Sequence, residues 1–142
     1  MYGNGIIWPF FYVNYVEKAI IVTKRREIEY GSTLQFVTSI DLSWNNLIGG
    51  IPDEITSLTA LNTLNLSRNH LTRNVPKNIE NMQLLETLDL LKNSLSGPIP
   101  ESMSSLTSLV HLNLSFNKLV GRIPLGNQLQ TLNDASIYKG NS

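Results

Sequence analysis

Asp89, His111 and Ser115 bring a carboxylate, an imidazole and a hydroxyl onto neighbouring stretches of a 142-residue chain. These are the residue types of a hydrolytic triad, in which a base must reach the hydroxyl and an acid must orient the base. Their surroundings argue against that chemistry. No nucleophile elbow frames Ser115, and the pattern offers neither an oxyanion hole nor a pocket that would exclude water. Metal chemistry fares no better. The chain has no cysteine, and His70 and His111 are its only imidazoles, with no acidic cluster at ligand spacing beside them. No enzymatic activity, catalytic residue, metal site or cofactor is therefore expected.

Charge narrows the partners further. Eleven basic and eleven acidic side chains give a formal net charge of zero. That leaves no electrostatic reason to expect nucleic acid or an anionic membrane surface. The apolar opening, residues 1–22, lacks a positive leader, and no small-residue cleavage site follows it. Asn14, Glu17 and Lys18 interrupt it before it could span a bilayer. It reads neither as a signal peptide nor as a transmembrane segment, so any membrane attachment is expected only through segments outside this chain.

The elements that must position these side chains come from a repeat of 24 residues, in registers starting at Val37, Leu61, Leu85 and Leu109. The fourth position carries Ile40, Leu64, Leu88 and Leu112, and the sixth Leu42, Leu66, Leu90 and Leu114. Asn45, Asn69, Asn93 and Asn117 fill the ninth, and Leu47, Leu71, Leu95 and Leu119 the eleventh. Pro52, Pro76, Pro100 and Pro124 fill the sixteenth. One such unit cannot bury its own leucines. Stacked in parallel, the units form one continuous ladder of apolar side chains, which is the logic of a solenoid. Leucines two apart on a short strand point to the same side. The asparagine stands where the strand turns, and its amide can satisfy backbone groups that would otherwise be buried unpaired. Gly49, Gly97 and Gly121 permit a tight turn, and the proline fixes the chain after it. Ile55, Leu58, Ile79, Met82, Met103 and Leu106 then close the convex side in irregular or 3₁₀-like turns. These asparagines, glycines and prolines are structural.

The register L-x-x-L-x-L-x-x-N-x-L-x-G-x-I-P over residues 37–124 resembles the plant-specific leucine-rich repeat. The expected fold is thus of the α/β class: a right-handed leucine-rich-repeat solenoid with a parallel concave β-sheet and little regular helix. Two departures stand out. Arg73 replaces the glycine of the second unit, which puts its tight turn in question, and Leu91 replaces a small polar residue in the third. After Pro124 the register fails, since Asn127 and Gln130 stand where apolar residues should close a coil. Residues 125–142 resemble the entry to the C-terminal cap of plant receptor-like proteins, and residues 1–36 resemble the tail of the island that interrupts their ectodomains. Within that tail a hairpin is expected, with Ala19–Thr23 and Glu27–Tyr30 as strands. The run Lys24–Arg26, flanked by Glu27 and Glu29, reads as a solvated turn.

Binding residues belong on the variable strand positions. The eighth position gives Trp44, Arg68, Lys92 and Phe116. The fifth gives Asp41, Asn65, Asp89 and Asn113, and the third adds His111. Exposed aromatics beside cations suit a protein or peptide interface. The alternative is that Trp44 and Phe116 merely cover the sheet edge. Asn65 and Asn113 each open an Asn-Leu-Ser glycosylation sequon. The resemblance implies a non-enzymatic recognition module of a cell-surface receptor, facing outward from the plasma membrane, in defence or developmental signalling. Its partners would be an extracellular protein or peptide ligand and a co-receptor kinase with leucine-rich repeats of its own, docked near Lys92, His111 and Phe116. The alternatives are part of a leucine-rich-repeat receptor kinase, or a secreted inhibitor of microbial wall-degrading enzymes. Four coils span only roughly 15 Å of sheet, so the chain is expected to be part of a longer ectodomain.

Overall fold

Each 24-residue unit folds as one coil that gives one strand to each of two parallel sheets. The computed structural model describes residues 37–126, Leu129 and residues 135–142. The first sheet is built from β1 (Ser39–Asp41), β3 (Thr63–Asn65), β5 (Thr87–Asp89) and β7 (His111–Asn113), in that order. The second is built from β2 (Ile48–Gly50), β4 (His70–Arg73), β6 (Ser94–Pro98) and β8 (Lys118–Val120). Short 3₁₀ turns at Asp53–Ser57, Ile79–Asn81 and Glu101–Ser105 close the coils on the far side. The expected solenoid is present. The expected hairpin at Ala19–Tyr30 lies outside the described residues, as does the Lys24–Arg26 turn.

The core is the leucine ladder. Leu64, Leu88 and Leu112 of the first sheet stack on one another, with Leu66, Leu90 and Leu114 beside them and Leu71, Leu95 and Leu119 opposite, all buried. Fully burying one such side chain contributes about 1.5–3 kcal/mol. Ile40 and Leu42 of the first coil are only partly buried and pack against this cluster. Ile55, Leu58, Ile79, Met82, Met103 and Leu106 seal the other side and are also buried.

Between the two sheets runs a ladder of asparagine amides. Asn69 accepts from the Leu47 N–H of the coil before it (3.1 Å) and from that of Asn45 (3.1 Å). It donates to the Leu42 carbonyl of that coil (3.0 Å), and to Leu66 (3.0 Å) and Ser67 (3.1 Å) in its own. Asn93 repeats this with the Leu71 amide and the Leu66 and Leu90 carbonyls. Asn117 does so with the Leu95 amide and the Leu90 and Leu114 carbonyls. Each amide thus satisfies the peptide groups of two coils at the point where the strand turns inward.

The structure departs from the sequence reading in three places. The second sheet was not anticipated, because the repeat there is only a few residues of alternation ending in glycine and proline. Its register also differs. Ser39 faces Thr63, 24 residues on, whereas Ile48 faces His70, 22 residues on. The second sheet is therefore staggered by two residues per coil. Second, Arg73 does not abolish the turn of its coil. It takes φ 68°, close to Gly49 (83°), Gly97 (75°) and Gly121 (84°), so the neighbours impose the turn and the side chain tolerates it. Third, the register does not fail after Pro124. Asn141, the next asparagine in the column, accepts from Leu119 N–H (2.9 Å) and donates to the Leu114 and Tyr138 carbonyls (2.9 and 3.0 Å). Leu129 is buried in the core, an apolar anchor one or two positions from the polar Asn127 and Gln130 that broke the pattern.

Three expectations follow for stability. Replacing Asn93 by Ala leaves several buried peptide groups unpaired, each costing about 1–3 kcal/mol, so chemical denaturation should show a loss of at least about 3 kcal/mol. Asn45→Ala, at an exposed amide that among the described residues donates to Leu42 and Ser43 of its own coil, should cost below about 1 kcal/mol in the same assay. Arg73→Gly removes a left-handed side-chain conformation that costs about 1 kcal/mol, and should raise the unfolding free energy by up to that amount.

Candidate functional site

The eighth column, Trp44, Arg68, Lys92 and Phe116, has one backbone conformation throughout. All four residues lie in the left-handed region, with φ between 55° and 58°. For bulky side chains this costs about 1 kcal/mol each, and the ladder holds it in place. The Trp44 N–H donates to Ser67 of the next coil (3.0 Å), Arg68 to Leu91 (2.7 Å), Lys92 to Ser115 (3.0 Å) and Phe116 to Lys139 (2.7 Å). The shared twist aims four large side chains out of the turn in the same way. Trp44 is 73% exposed and Phe116 44% exposed, so neither is spent on covering the core.

These four residues line one cleft of about 590 Å³ between the two sheets, together with His70 and Ser94 at the start of the second-sheet strands. The Arg68 guanidinium stacks over the Trp44 ring, 4.3 Å from its centre. Lys139 stands 5.9 Å from the centre of the Phe116 ring. Gly140 packs against that ring so closely that a Cβ there would fall 2.6 Å from Phe116 Cδ1. The two aromatics are thereby held at opposite ends of the cleft, with Arg68 and Lys92 between them. No carboxylate lines it. His70 escaped the sequence reading because its position precedes the leucine of a second sheet whose strands were not recognised; the short alternation His-Leu-Thr-Arg was the available signal. A second cleft, of about 610 Å³, lies by Arg73, Lys77, Asp53 and Glu54 and mixes both charges.

The ladder residues Asn45, Asn69 and Asn93 also line this cleft, whereas Asp41, Asn65, Asp89, His111 and Asn113 lie outside it, on the first sheet. Asp41 accepts from the Ser43 N–H (3.0 Å) and hydroxyl (2.6 Å). Asn65 takes the same two bonds from Ser67, and Asn113 from Ser115. Asp89 accepts from the Leu91 N–H (3.1 Å) and gains no hydroxyl bond there, because Leu91 brings no hydroxyl. The fifth column thus pins the turn after the strand. His111 is exposed on β7 with Thr87 as its cross-strand neighbour. Asp89, His111 and Ser115 do not assemble as a triad, since Ser115 is buried with its hydroxyl committed to Asn113. Among the described residues no group of three or more His, Asp or Glu could hold a metal ion. Among them, too, no helix is long and apolar enough to cross a membrane.

The Ser43 hydroxyl, and then its amide, hold the Asp41 carboxyl below the ordinary value of 3.8. These bonds favour the charged form, so their contribution to stability is present at neutral pH and fades as the pH falls through the lowered pKa. In a carboxyl NMR titration the Asp41 midpoint should lie below 3.8 in the parent chain, and Ser43→Ala should move it upward.

Comparison with known proteins places these features in a family. Models described as leucine rich repeat match residues 59–119, and 36–58 with 108–133. No curated protein matches the chain. It is similar to a chain of the BIR3–SERK2 complex from Arabidopsis thaliana, with 40% identity and a TM-score of 0.68, over 74% of this chain and 55% of that one. The BIR2 ectodomain from the same plant is 32% identical with a TM-score of 0.66, over 78% of this chain and 59% of that one. The Arabidopsis receptor kinase HAESA, solved with the peptide hormone IDA and the co-receptor SERK1, gives 39% identity and a TM-score of 0.67, over 75% and 17%. The chain therefore spans little more than half of the first two structures and under a fifth of the third. Repeat by repeat across residues 36–133, it belongs to the leucine-rich-repeat family, in the form that plant receptor ectodomains carry.

Proposed function

We propose that this chain is a non-enzymatic recognition module of a plant cell-surface receptor, and that its cleft takes an extracellular protein or peptide. The observation that carries this reading is the eighth column. Four large side chains are held out of the core in a strained backbone conformation, and two aromatics and two cations converge on one cleft. The ladder would impose that conformation on any side chain here, so it is their type that points to function: aromatics with arginine are the residues that dominate interfaces. HAESA with the hormone IDA and the co-receptor SERK1, and RGFR1 with RGF2, give the reading its context.

On this reading the module faces outward at the plasma membrane, serves defence or developmental signalling, and acts through a partner receptor kinase. The co-receptor is proposed to dock on the third and fourth coils from the His111 side, over the segment seated on Lys92 and Phe116. Glycans on Asn65 and Asn113 would lie over the first sheet and leave the cleft open. Because HAESA is itself a receptor kinase, a parent with a kinase domain is the second reading, and the reading frame beyond Ser142 separates the two.

The test is selection of a random peptide library on the purified chain. Enriched peptides should bind the Trp44→Ala/Phe116→Ala double variant at least about tenfold more weakly, or ~1.4 kcal/mol, with circular dichroism and melting unchanged. Absence of enrichment, or binding indifferent to both substitutions, overturns the proposal.

A further inference from the structure

Resting on the cleft as a recognition surface, we infer the sequence pattern of its occupant: an extended segment reading apolar, any, acidic, any, apolar. It lies across the coils, with its acidic side chain between Arg68 and Lys92. The spacing carries this. Neighbouring parallel strands stand about 4.8 Å apart, so three steps separate Trp44 from Phe116 by about 14 Å. An extended peptide rises about 3.4 Å per residue, and four residues cover the same distance. Side chains two apart point to the same face, so the first, third and fifth residues all meet the cleft together. The third falls about 7 Å along, between Arg68 at roughly 5 Å and Lys92 at roughly 10 Å. One carboxylate can therefore reach both cations while its apolar neighbours sit on the two rings.

Electrostatics selects the sign of that central residue. The cleft lining holds Arg68, Lys92 and His70 and no acid. The Arg68 guanidinium sits 4.3 Å from the centre of the Trp44 ring, and a guanidinium is suited to a paired hydrogen bond with a carboxylate. The ends select apolar groups, because both are exposed aromatic rings, Trp44 beside Arg68 and Phe116 held against Gly140. Ser94, at the start of β6, and Asn46, two residues before β2, offer hydroxyl and amide groups to the peptide backbone.

The probe is a fluorescent peptide containing Phe-Ser-Glu-Ser-Leu, measured by anisotropy on the intact chain. It should bind at least about tenfold more tightly than the same peptide with Gln for Glu, and than a shifted Phe-Ser-Ser-Glu-Leu. The preference for Glu over Gln should vanish on Arg68→Ala/Lys92→Ala, while a control Arg122→Ala variant keeps it. Equal binding of the Glu, Gln and shifted peptides refutes the motif. So does displacement of the probe by oligogalacturonate that binds Trp44→Ala as well as the parent chain, which would assign the cleft to a charged polysaccharide. Library peptides that depend on Trp44 and Phe116 yet carry no central acid would refute the motif and leave recognition itself standing.

Discussion

The side-chain amide of one asparagine per coil is the interaction on which the rest of the structure depends. It sits where the chain leaves the first sheet and turns toward the second, and in three of the coils it is itself buried. Asn69, Asn93, Asn117 and Asn141 each reach back to the coil before, accepting an N–H from it and donating to one of its carbonyls. Leucine stacking supplies most of the favourable free energy of such an array, but leucines alone set no register, since one apolar side chain replaces another at small cost. The amide has directional donors and an acceptor, and an unmade buried bond is expensive. It therefore fixes which residue of one coil faces which residue of the next.

That fixed register has a by-product on the outside. With the strand end and the asparagine both held, the residue between them must turn through a left-handed conformation, whatever its side chain. Trp44, Arg68, Lys92 and Phe116 all do so, and Gly140 (φ 77°) continues the column. Side chains at this position cannot return to the core, so they are free to vary in type while keeping a common direction. The solenoid thus turns a buried polar requirement into an exposed, evenly spaced row. Recognition and stability are carried by adjacent residues in the same turn.

Much of this was legible from the sequence, and for a physical reason. Columns such as Leu64, Leu88 and Leu112 repeat because each must pack on its copy in the next coil, so the periodicity is the packing written out. The eighth column was identified, but its left-handed backbone was not, because Trp and Phe carry no mark of a conformation imposed from outside. The second sheet was missed because its pairing is staggered relative to the repeat, and a fixed period of 24 hides a pairing of 22. Asn141 was missed for the opposite reason. Around it Ser136 and Tyr138 replace the expected leucines, and only the asparagine keeps the column.

The ladder also bears on how such an array can change through its gene. Every coil presents the next with the same amide, the same carbonyls and the same leucine face. An unequal crossover that duplicates or removes one unit of the coding sequence in frame therefore creates a junction identical to those already present. A length change that is not a whole unit would set an asparagine against the wrong peptide groups and leave buried bonds open. Copy number is consequently free to drift while unit length is held, and the row of recognition residues can be lengthened or shortened one member at a time.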